Sequence, residues 1–78
     1  MKDLNTIKEM ILDKYIHTVK CRVMYYNDME RNPDNETSHL QWNEKCAIEF
    51  ELKDILKEFG YTENELQTIK EKAISAII

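Results

Sequence analysis

Residues 40–52 read Leu40-Gln41-Trp42-Asn43-Glu44-Lys45-Cys46-Ala47-Ile48-Glu49-Phe50-Glu51-Leu52. Six of the seven even positions are apolar and five of the six odd positions are polar. Successive side chains of an extended chain point to opposite faces, so period two predicts a strand with one buried and one wet side. On that reading Trp42, Cys46, Ile48, Phe50 and Leu52 face a core. Glu49 and Glu51 face water.

Working towards the N-terminus, Asn27–His39 contains Asn32-Pro33-Asp34-Asn35 and no apolar period, which reads as a mobile loop. Before it, Val19, Cys21, Val23 and Tyr25 alternate with Thr18, Lys20, Arg22 and Met24. Leu12, Ile16, Val19, Val23 and Tyr26 also sit at helical spacing, and the β-branched and aromatic content favours a strand over about 17–26. The chain opens with a helix from Asp3 or Thr6 to about Tyr15, carrying Leu4, Ile7 and Ile11 on one stripe. Asp3, Asn5, or Thr6 with Glu9 can cap it.

Working towards the C-terminus, Lys53–Phe59 reads as a short helix presenting Ile55, Leu56 and Phe59. Gly60 stands where a left-handed cap residue is needed. Thr62 and Glu65 then form a capping box, with Tyr61 positioned to staple onto Leu66. Leu66, Ile69, Ala73 and Ile77 mark the buried face of that last helix. The expected fold is a single α+β domain over 1–78, ordered α–β–β–α–α. A turn at 42–45 would make it α–β–β–β–α–α. Either way an antiparallel hairpin or meander packs on helices.

Composition narrows function. The chain has 78 residues, one Gly and one Pro, which leaves no phosphate-cradling Gly-rich loop and little apolar surface to spare from a core. Asp28–Glu65 holds eleven acidic residues against four basic ones, −7, while the remainder is +3. That field repels phosphate backbones and anionic lipid and attracts basic surfaces. No apolar run is long enough to cross a membrane. The N-terminus has no signal-peptide pattern, so a cytoplasmic location is expected.

No motif carries chemistry. His17, Cys21, His39 and Cys46 are metal-type ligands at spacings that match no finger, so neither metal nor cofactor is expected. A Cys21–Cys46 disulfide is geometrically conceivable but runs against a reducing cytosol. Glu49 and Glu51 share a solvated face without the burial that tunes a general acid or base, so no catalytic residues are assigned. Lys20, Arg22 and Tyr26 are the nearest approach to a nucleic-acid patch and fall short of a stacking platform.

The element order and acidic bias are similar, at fold level, to small phage-encoded inhibitors of bacterial defence nucleases, including type II-A anti-CRISPR proteins. That resemblance carries no residue motif and transfers no site. It implies occupation of a nucleic-acid-binding groove by an acidic surface. The expected function is therefore a non-enzymatic binding protein that inhibits or regulates a larger macromolecule, docking Glu49, Glu51, Asp54 and Glu58 on a basic protein surface. A homodimeric assembly module and a nucleic-acid-binding regulator are the alternatives.

Overall fold

The computed structural model describes residues 3–77 and consists of three helices: α1 (Leu4–Arg31), α2 (Glu36–Glu58) and α3 (Glu63–Ser75). Among the described residues there is no strand, so the α+β expectation is overturned and the fold is all-α. Both segments read as strands, 17–26 and 40–52, lie inside long helices. Residues two apart on a helix are about 200° apart, so the even positions of 40–52 wind around the axis and share no face. Leu40 and Phe50 are accordingly 69% and 66% exposed, while Leu52 is buried with Leu56 one turn on. The face that packs is Ile48, Leu52 and Leu56, at i, i+4 and i+8. No Gly or Pro lies between Asp34 and Phe59, so nothing interrupts the helix. In α1 the competing spacing through Leu12, Ile16 and Val19 prevails in the same way, because tertiary burial outweighs β-propensity.

The segment expected as a loop, 27–39, is helix at both ends around a turn at 32–35. Asp28 ties that turn together. Its carboxylate accepts from the Ser38 hydroxyl, from Asn35 Nδ2 at 3.1 Å and from Asn32 Nδ2 at 3.3 Å. Asn35 meanwhile caps α2 by accepting from the Ser38 amide at 3.4 Å, and Asp3 caps α1 by accepting from the Thr6 amide at 2.8 Å.

Capping also explains the α2–α3 turn. Gly60 adopts φ 104°. The Gly60 amide bonds the Lys57 carbonyl at 3.0 Å and the Tyr61 amide reaches the Leu56 carbonyl at 3.1 Å, which is a Schellman closure. Thr62 and Glu65 form the reciprocal capping box, and Tyr61 packs against the core that contains Leu66.

α1 and α2 form an antiparallel hairpin, as the pairs Arg22–Glu49, Tyr26–Trp42 and Asp28–Ser38 show. α3 folds back and packs chiefly on α1. Tyr15, Val19, Leu52, Leu56, Leu66 and Ala73 make one buried cluster where all three helices meet. Each fully buried aliphatic side chain there contributes about 1.5–3 kcal/mol. Towards the α1–α2 turn the 44 Å long molecule is held by Tyr26 against Trp42 and by the Asp28 bonds, and Ile77, just past α3, lines a groove there with Cys21, Tyr25, Asp28 and Ser38.

Candidate binding surface

Of the four acidic residues expected to dock a partner, the helix brings three together and removes one. Glu49 lies on the inner side of α2, with its side chain only 14% exposed. Its Oε1 sits 3.2 Å from Arg22 Nε and 4.0 Å from Lys70 Nζ, so it joins the three helices and is not part of an outer surface. Period two placed Glu49 beside Glu51, whereas residues two apart on a helix point about 200° apart.

Glu51, Asp54 and Glu58 are exposed on the outward face of α2, and Glu44 joins them. Glu44, Glu51 and Glu58 recur every seven residues, about 10.5 Å of rise per step, and fall nearly in line. The strand reading turned Glu44 inward. Its seven-residue spacing was the signal that could have placed it. Leu40 and Ala47, also exposed, continue the same row at alternating steps of four and three, with Phe50 along its edge. None of the four carboxylates forms an ion pair among the described residues. The lysines of α2's C-terminal half are turned away: Lys53 and Lys57 both bind Glu63 of α3, Lys53 at 2.6 Å. These pairs hold the Glu63 carboxyl below its ordinary range, the Lys53 bond contributing most. The result is a one-sign face about four turns long with two large apolar side chains beside it.

Other candidate groups are separated. His17 Nε2 is 3.5 Å from Cys21 Sγ on one face of α1, and His39 Nε2 bonds the Pro33 carbonyl at 3.0 Å. Cys21 and Cys46 are free thiols. No group of three His, Cys, Asp or Glu residues converges among the described residues. Arg22 is committed to Glu49, Tyr26 packs on Trp42, and Lys20 borders a different groove with Ile69 and Lys72. No described helix is long and apolar enough to cross a membrane. No protein-family model, curated protein or solved structure matches this chain.

Proposed function

We propose that this chain is a non-enzymatic binding protein that inhibits or regulates a larger macromolecule by laying the outward face of α2 on a basic surface, including one that otherwise holds nucleic acid. The observation that carries this reading is the acidic row Glu44, Glu51, Asp54 and Glu58, exposed and without an ion pair among the described residues, with Leu40 and Phe50 beside it. Carboxylates so placed steer and select a cationic partner, and exposed apolar side chains supply the desolvated anchors that charge alone lacks. Exposed carboxylates also lack the desolvation on which acid–base catalysis relies. The resemblance to phage-encoded inhibitors loses its layout, since that layout contained strands. What remains of it is the acidic surface.

The test reverses Glu44, Glu51, Asp54 and Glu58 to Lys and follows binding to the partner recovered from host lysate across a salt series. Circular dichroism controls for the fold. The expected result is slower association for the variant and a wild-type complex that weakens with salt. Unchanged binding in the variant, with no salt dependence in the wild type, would overturn the reading. Leu40 and Phe50 suit self-association equally well, and a dimeric solution mass that persists in high salt would favour that alternative.

A further inference from the structure

A second feature lies on the side of α2 that faces α3, where Tyr15 of α1 closes the gap between them. The helices leave a cavity of about 130 Å³ walled by Tyr15, Glu49, Phe50, Lys53, Gln67 and Lys70, with Cys46 at its edge. That is room for several waters or for a tetrahedral oxyanion.

Its electrostatics run against the rest of the chain. Arg22 and Lys70 attend Glu49, and Lys53 and Lys57 attend Glu63. This ion-pair network carries four cations and two carboxylates, a net +2, in a protein of net −4. Glu71, one turn along α3, accepts from Gln67 Nε2 at 3.3 Å and is the nearest further acid on that helix. Lys70 stands 4.0 Å from Glu49, beyond hydrogen-bond range, so its donors are uncommitted. An ammonium has three donors, and Lys53 uses one on Glu63.

Tyr15 lines the cavity from α1. The residue as a whole is 2% exposed, but its hydroxyl is not among the fully buried polar atoms and bonds no described residue, so it is reachable from the cavity. Burial first, and then the Glu49 charge, raises its pKa, so the phenol remains a proton donor.

We propose that this cavity binds a phosphate-sized oxyanion, held by the ammonium groups of Lys53 and Lys70 and by the hydroxyl of Tyr15. The Glu49 carboxylate on the wall does not exclude it, because the Arg22 guanidinium at 3.2 Å already balances that charge. The site shares Phe50 with the edge of the acidic row but uses none of the row's carboxylates, so the two stand or fall separately.

The experiment melts the full chain in rising inorganic phosphate at constant ionic strength, with chloride as the counter-series and glycerol phosphate as a parallel arm. Binding to the folded state should raise Tm with the logarithm of phosphate concentration. Glycerol phosphate acting equally would identify a phosphoryl group as the ligand, and a response to phosphate alone a free oxyanion. Tyr15→Phe should melt as wild type in chloride, having no bond to lose, and gain less from phosphate. Lys53→Met with Lys70→Met should gain least. Phosphate also stabilises proteins by exclusion from their surface, an effect all variants share. Equal gains in wild type and variants would therefore overturn the proposal, as would no gain in wild type or a Tyr15→Phe protein that melts lower in chloride. Phosphorus-31 line broadening by the wild type detects the same binding without any variant, and its absence counts against the site.

Discussion

Arg22 and Glu49 stand 27 residues apart in the chain and meet at 3.2 Å, both largely shielded from water. The pair is the polar register pin of the α1–α2 hairpin, and through Lys70 it also reaches α3. Truncating one partner leaves a shielded charge without its complement, whereas replacing both by apolar groups does not. Arg22→Met or Glu49→Met should each cost about 1.5–3 kcal/mol. The double variant should recover most of that loss, measured by urea denaturation as a double-mutant cycle. Additive losses would show that the two residues act separately.

Phe50 and Leu56 are six positions apart on α2 and lie at opposite extremes, 66% and 0% exposed. Phe50→Asp should leave the circular dichroism spectrum and melting curve nearly unchanged. Leu56→Ala should cost about 2–5 kcal/mol, and Leu56→Asp should prevent folding. A strand would give the reverse at Phe50, so this pair of substitutions tests the helix directly.

Asp28 makes the hairpin turn sensitive to acid. The Ser38 hydroxyl bond, aided by Asn32, Asn35 and Arg31, holds its carboxyl below the ordinary range. A depressed folded value means that the contribution is complete above the unfolded pKa of about 3.9 and is lost as pH falls through the folded value. Stability should therefore decline from about pH 4 downward. Asp28→Asn should be less stable at neutral pH and show a shallower acid limb in denaturant titrations at stepped pH. An unchanged acid limb would mean that other carboxylates govern the acid response.

The α2–α3 turn depends on two local devices. Thr62→Ala removes the side-chain acceptor of the capping box and should cost about 0.5–2 kcal/mol. At Gly60 an added Cβ meets nothing within 4 Å, so the penalty of Gly60→Ala is purely conformational, about 1–2 kcal/mol. Thermal unfolding of the two single variants checks both values.

These two devices are also what the sequence displays most plainly. Gly60, Thr62 and Glu65 act through neighbours within a few positions, so their chemistry is readable without knowledge of the fold, and the apolar face of α3 follows from them. The middle of the chain differs. In 40–52 period two and a helical stripe through Ile48, Leu52 and Leu56 coexist, and what separates them is whether α1 offers Tyr15 and Val19 as a packing surface. The same long-range dependence governs the candidate surface. Glu51, Asp54 and Glu58 are legible as exposed acids under either reading. Glu49 changes role because only the hairpin brings Arg22 to it. Glu44 joins the row because only a helix aligns it.

The one-ended core has a kinetic consequence. Tyr15, Val19, Leu52, Leu56, Leu66 and Ala73 all lie where three helices overlap, while the Asp28 turn closes an end outside that core, reached by Ile77, in which the indole Nε1 of Trp42 is buried without a hydrogen-bond partner among the described residues. Opening the tip forfeits few apolar contacts and gives that indole access to water. Amide hydrogens near the turn should therefore exchange through local fluctuations, and those around Leu56 and Leu66 only through whole-molecule unfolding. Such a gradient makes the molecule a rod with a fixed root and a yielding tip, and the acidic row of α2 runs from one towards the other. A partner gripping that row would meet Glu58 on rigid ground and Glu44 on ground that can adjust.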